Sequence, residues 1–200
     1  MTRGSGLFGN AAVLGLLGAA LVVEAQAPDW YAGVVQEDEP LEWASFWAFA
    51  LAAVAFAAAA RARRVRGGRT AWLTIGASLF CVFVAGEEIS WGQRLLGYRP
   101  PAYFLASNFQ QELNLHNLVA TSSRKWTLLA VIAGFGIALP LGWRAPGLAG
   151  PVERLGAPRP PLVLAPAYAA MLGFYLWYPV RFSGEWVEAA LGAGFLLAAA

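Results

Sequence analysis

An all-α, polytopic transmembrane helical bundle is the fold class that this 200-residue sequence predicts, and three observations predict it. Hydrophobic side chains make up 58% of the chain and charged ones only 13%, about half the charged share of an ordinary soluble domain. The apolar residues gather in six runs, at 7–23, 43–60, 71–85, 126–141, 162–177 and 186–200. Each is about 15 to 18 residues long, where a ~30 Å hydrocarbon core takes about 20 with some tolerance. Charge, finally, is divided unevenly between alternate connections, the mark of a chain whose loops are sorted during insertion.

The first run follows Arg3 and precedes Ala25-Gln26-Ala27, so it also reads as a secretory leader with a small-residue cleavage pattern. Its apolar stretch is longer than such a leader needs, and it is expected to remain as the first helix. The second run, 43–60, is entered from the acidic stretch Glu37-Asp38-Glu39-Pro40-Leu41-Glu42, a solvated loop that sets Glu42 near the positive end of the helix. A third helix is expected over 71–95, because helical residues continue past the apolar run until Pro100 and Pro101 forbid them. A polar segment, 96–123, then precedes the fourth helix at 126–141. The Gly- and Pro-rich stretch 143–161 reads as a loop, followed by helices at 162–177 and 186–200. The last has no flanking anchor, so the count is five or six spanning helices in one domain.

Orientation follows from the basic residues. With the N-terminus cytoplasmic, the inner side receives Arg3, Arg61, Arg63, Arg64, Arg66, Arg69, Arg144, Arg154 and Arg159, nine of the 14 Lys and Arg, against a single acid, Glu153. The remaining acids fall on the outer side, as do Trp30, Trp43, Trp47, Trp91, Trp126, Trp177 and Trp186, whose rings suit the headgroup level. A net charge of only +2 and an Arg-rich loop without interleaved aromatics exclude a nucleic-acid partner. One cysteine, Cys81, forbids an internal disulfide and reads as a packing residue, and one histidine, His116, excludes any metal site needing two imidazoles from this chain. Ser45 and Ser90 lack the setting of a hydrolase nucleophile.

Residues 86–117, GEEISWGQRLLGYRPPAYFLASNFQQELNLHN, carry the chemistry. Adjacent carboxylates Glu87 and Glu88 directly after an apolar run are costly, about 2.5 to 3.5 kcal/mol for a central acid and less at the edge. On a continuous helix Glu87, Trp91 and Arg94 share one stripe and Glu88 lies ~100° away. If 108–123 also forms a helix, Asn108, Glu112 and His116 share a face, and the i,i+4 spacing joins Glu112 to His116. Three chemistries fit this set. Glu87, Glu88, Glu112 and His116 can ligate a divalent metal ion, although Glu112-x3-His116 is not the Glu-x2-His of carboxylate-bridged di-iron bundles. His116 can act as a general base oriented by Glu112 with Glu87 nearby, while Arg94 clamps an anionic headgroup and Trp91, Asn108 and Asn117 line the substrate site for hydrolysis or group transfer. Buried acids with a histidine can also relay protons or ions. Against all three stands an architectural network in which these groups saturate one another. Glu42, Glu185 and Glu188 can reach the same outer level, whereas the inner halves of the helices offer almost no ionisable residue, which disfavours transport.

Glu37-Asp38 with Glu42-Trp43, the block Gly-Glu-Glu-Ile-Ser-Trp-Gly-Gln-Arg at 86–94, and Asn108-x-Gln110-x-Glu112-x-Asn114-Leu115-His116-Asn117 together resemble a family of small bacterial multi-pass membrane proteins. The resemblance spans about 80 residues, 37–117. It implies a helical fold in the bacterial inner membrane and singles out the Glu, Arg and His positions, and it implies no activity. The three-histidine pattern of ceramidase-like hydrolases is absent. The sequence thus predicts a Glu/His/Arg site at the periplasmic boundary that binds lipid or metal, or else an accessory subunit whose partners are lipid and other membrane proteins.

Overall fold

The structure, a computed structural model, describes residues 3–36, 39–67, 70–108 and 110–199, the side chains of 3–5 aside. Glu37, Asp38, Arg69 and the final residue of the expected last helix lie outside the described residues. Every regular element described is helical. Helix α1 is Arg3–Gln26, α2 Pro28–Val34, α3 Pro40–Gly67 and α4 Trp72–Glu88. Short helices α5 (Gln93–Leu96) and α6 (Ala102–Ser107) follow, then α7 (Thr121–Ala133), α8 (Leu139–Gly142), α9 (Ala149–Arg154), α10 (Ala165–Trp177) and α11 (Ser183–Ala199).

The helices outlast the apolar runs that announce them. Helix α3 continues to Gly67 because Ala and Arg are good helix formers and because Arg64 and Arg66 complement the negative end of the helix. Between α7 and α8 the chain widens into a π turn, Gly134–Ala138. Pro140 explains this: it has no N–H for the regular ladder, and its ring crowds the carbonyl four residues back. Gly136 is needed at the same place, since a Cβ there would stand 2.0 Å from the Tyr168 ring.

Three helices, Gly6–Gln26, Pro40–Gly67 and Thr121–Gly142, are long and apolar enough to cross a membrane, or four if α4 and its bent continuation form one span. Helices α10 and α11, with 13 and 17 residues, reach only about 20 and 26 Å. In the best apolar windows of α1 and α3 only 33% of residues are buried. The outward faces are nonetheless apolar, with Leu7, Phe8, Leu14, Val54, Leu79 and Val82 exposed. A water-soluble bundle places polar residues there, so these surfaces suit lipid.

The core sits around α11, the helix that looked weakest in sequence. Trp186, Val187, Ala190, Leu191 and Phe195 are buried, and Phe195 stacks on Phe135 at 4.0 Å with Phe49, Phe56 and Phe80 around it. Small residues let α3 approach closely, since a Cβ on Gly192 would lie 3.0 Å from Ala48. Trp186 is therefore a core residue rather than a member of the exposed tryptophan belt. Its ring stacks on Tyr31 and its N–H donates to the Tyr31 hydroxyl at 3.0 Å. That hydroxyl in turn donates to the Arg181 carbonyl, and Arg181 pairs with Glu24 at 2.9 Å. Burial pushes the Tyr31 phenol up to about 12.

Polar ties between distant segments mark the two ends of the bundle. At one end Arg63 donates to the Ala157 carbonyl at 2.7 Å, and Asn10 ties α1 to the entrance of α10 through the Val163 carbonyl and the Ala167 amide. At the other lie Glu24, Arg181 and the site described next.

Candidate functional site

Sequence reasoning expects a helix over 71–95, but α4 stops at Glu88 and the chain turns by 66° before Ser90–Leu96. Ser90, Trp91 and Gly92 take left-handed conformations, φ 46°, 54° and 78°. For Ser90 and Trp91 this costs roughly 1 to 2 kcal/mol each, so neighbouring contacts must hold the turn in place. They are visible. Trp91 folds back over α4, where Gly86 makes room: a Cβ there would stand 2.9 Å from the indole. The indole N–H then donates to Glu87 Oε1 at 2.7 Å. The Ser90 hydroxyl donates to Glu112 Oε2 at 2.6 Å.

The expected helix over 108–123 does not form either. Asn108 and residues 110–115 are irregular, His116–Leu118 form a single 3-10 turn, and α7 begins only at Thr121. The reason is the density of asparagine. Asn108 Oδ1 accepts from the Gln110 amide at 2.9 Å, a local bond that competes with helix. Its amide group donates to the carbonyls of Glu112 and Asn114 at 2.8 and 3.1 Å. Gln111 adopts φ 59°, which ends any helical run.

Two buried acids anchor that loop, Glu87 from the end of α4 and Glu112 from within it. Glu87, 4% exposed, receives the Leu115 and His116 amides on Oε2 at 2.6 and 2.8 Å, with Trp91 on its other oxygen. His116 Nδ1 lies 3.4 Å from the same Oε2, and the imidazole is 44% exposed. Glu112, 6% exposed, pairs with Arg94 Nη1 at 2.9 Å through Oε1 and accepts from Ser90 and Asn114 through Oε2. Arg94 also reaches Glu42 on α3 at 3.2 Å. Gln93 accepts from the Leu113 amide at 2.6 Å. Asn117 donates to Gln110 and accepts from Arg124 at 3.1 Å.

The predicted site residues thus converge, but with changed partners. His116 is oriented by Glu87 and not by Glu112, because the loop destroys the i,i+4 relation. Arg94 is held by two carboxylates and is not positioned as an anion clamp. Asn108 and Asn117 bond to the loop itself, and Trp91 serves Glu87. The four-residue metal set of Glu87, Glu88, Glu112 and His116 is not assembled: among the described residues no three His, Cys, Asp or Glu stand where they could hold one ion. Glu88 belongs elsewhere, facing Ser45 of α3, Glu42, and Glu185 and Glu188 of α11, with Arg124 near Glu188. Sequence reasoning missed Ser90, Gln93 and Asn114 as members of the network. A cluster of Asn and Gln beside apolar helices was the available signal, since buried amides demand partners.

No family model matches the chain, and no curated protein or solved structure is significantly similar to it.

Proposed function

We propose that this chain is a multi-pass integral protein of the bacterial inner membrane whose periplasmic polar network is architectural, fastening residues 97–120 across the outer ends of the helices. In this reading the chain crosses the bilayer six times with its N-terminus in the cytoplasm, α10 and α11 being short crossings shielded by their neighbours. It acts as a non-catalytic accessory or structural subunit, and the fastened segment, with Tyr98, Tyr103 and Val119 exposed, is the surface offered to lipid and to partner subunits.

One observation carries the reading: both buried carboxylates have their oxygens taken up by donors from the chain. Glu87 accepts from three N–H groups and Glu112 from an arginine, a hydroxyl and an amide. A ligand or metal entering there would have to displace those bonds, several of them charge-assisted and worth about 1.5–3 kcal/mol each. Limited proteolysis tests this in membranes. Glu87→Gln and Glu112→Gln should each expose 97–120 to cleavage, while EDTA treatment of the unmodified protein leaves the segment protected. Loss of protection on chelation would replace the architectural reading with a metal centre.

A second reading rests on His116. With Nδ1 facing Glu87, Nε2 is the nitrogen left to act as a base, on a half-exposed ring. Turnover of an ester or phosphodiester lipid by the purified protein, lost in His116→Gln with 97–120 still protected, would establish catalysis in place of a purely structural role.

A further inference from the structure

We infer that the groove between the last turns of α3 and the first turns of α4, at the opposite end of the bundle, is a binding site for one anionic phospholipid. The groove is open to the surface and offers about 400 Å³, within the ~300–1,000 Å³ range of small-ligand clefts. Its walls are apolar and small on the α3 side, Ala57 and Ala60, and larger on α4, Ile75 and Leu79. Arg61 and Arg64, one turn apart on α3, also line it.

The state of those arginines points to the ligand. Both are exposed, and neither has a hydrogen bond or ion pair with any described residue. Arg63, Arg94, Arg124, Arg159 and Arg181 are engaged by other groups of the chain, and of the remaining arginines Arg66, Arg99 and Arg154 do not line this groove. Two exposed arginines without partners among the described residues thus line an otherwise largely apolar slot on a helix long enough to cross a bilayer. A phosphodiester with acyl chains matches both halves: the phosphate takes the fork of N–H donors and the chains take the alanine-lined wall. Zwitterionic lipids bring an amine that the pair repels. The Ser78 hydroxyl, also in the lining, donates to the Ala53 carbonyl at 2.8 Å, so Thr70 and the two arginines are the polar groups left to a ligand, and the arginines alone carry charge.

The inference rests on membrane insertion but not on the outer network. Carbonate extraction of membranes tests insertion separately: a released chain would defeat the membrane reading itself. For an inserted chain, native mass spectrometry from micelles holding equal phosphatidylglycerol and phosphatidylcholine should show one phosphatidylglycerol retained preferentially. Arg61→Gln with Arg64→Gln should lower that retention about 30-fold, from about fivefold per surface arginine facing an anionic headgroup, and Lys at both positions should restore most of it. Ala57→Phe, which fills the groove from an exposed position and keeps both charges, should abolish retention and covers the case in which the double variant does not fold. Equal retention of the two lipids, or undiminished retention in Ala57→Phe, overturns the site. Full displacement by millimolar inorganic phosphate would assign it to a free anion, and a lipid-free mass of two chains would assign it to a second copy.

Discussion

Replacing Glu87 by Gln changes one atom and one charge, yet the structure predicts a large effect because every partner of Glu87 is a donor. The carboxylate accepts from Trp91 Nε1 at 2.7 Å on one oxygen and from the Leu115 and His116 amides at 2.6 and 2.8 Å on the other. Gln has a single carbonyl oxygen. If that oxygen keeps the two backbone amides, the new NH2 group faces the indole N–H, donor against donor, and a bond to a charged acceptor worth about 1.5–3 kcal/mol is lost. The two surviving bonds lose their charge assistance, which costs about 1 kcal/mol more. Relief from burying a carboxylate offsets part of this. A net loss of about 2–3 kcal/mol is expected, read as equilibrium unfolding in mixed micelles with increasing SDS. Trp91→Phe removes the opposing donor, so the double variant should be less than additive by at least about 1 kcal/mol. A Glu87→Gln protein within about 0.5 kcal/mol of the unmodified one would refute the bonding scheme.

The Glu42–Arg94–Glu112 chain should respond unequally. Glu112→Ala strips the shorter, more buried contact and should cost about 3 kcal/mol, whereas Glu42→Ala, whose pair is 20% exposed on both sides, should cost below about 1 kcal/mol; the reverse order in the same unfolding assay would place the anchor on α3. Tyr31 supplies a pH dependence. Burial raises its phenol from 10.0 to about 12, so the folded state prefers the neutral form; this stability is present below pH 10 and is lost as pH rises through 12. Thermal midpoints measured from pH 7 to 12 should therefore fall steeply above pH 10 for the unmodified protein. Tyr31→Phe should start lower, lacking the bonds to Trp186 and Arg181, and should lack that additional alkaline decline.

How much of this the sequence made legible depends on the range of the interaction. Apolar runs locate the helices well because burial in lipid or core is a property of each residue, and the division of Arg61, Arg63 and Arg64 from Glu24 and Glu42 gives the two ends of the bundle. Residue types at the site were legible for the same reason: acids after an apolar run are costly enough to imply partners. Their arrangement was not. Helical spacing joins Glu112 to His116 and puts Glu87 and Arg94 on one stripe, and the chain joins Glu112 to Arg94 and Glu87 to His116 instead. The exchange follows from two breaks. Ser90 and Trp91 enter left-handed conformations that no β-carbon favours, and Asn108 bonds its own loop. Both depend on contacts more than 15 residues away or on local amide bonds that a helical wheel ignores. The underrated α11 teaches the complementary point: the sequence shows no flanking anchor for it, while the Ala and Gly content of the same stretch allows the close approach to α3 that places it at the centre.

The Glu87-Glu88 pair shows why the break belongs where it is. Adjacent residues on a helix point ~100° apart, so two neighbouring carboxylates cannot share one set of donors while α4 remains regular. Glu87 turns to the outer loop and Glu88 to α3 and α11. If α4 continued to residue 95, Trp91 would lie one turn farther along the axis, and the Leu115 and His116 amides would have to reach past it. Ending the helix at Glu88 folds Trp91 back over Gly86 and clears the far side of Glu87 for the loop. The strained turn, the glycine and the tryptophan are thus one device for surrounding a single carboxylate with donors from two directions, and the Gly86, Glu87 and Trp91 positions have to be judged together in any variant of this protein.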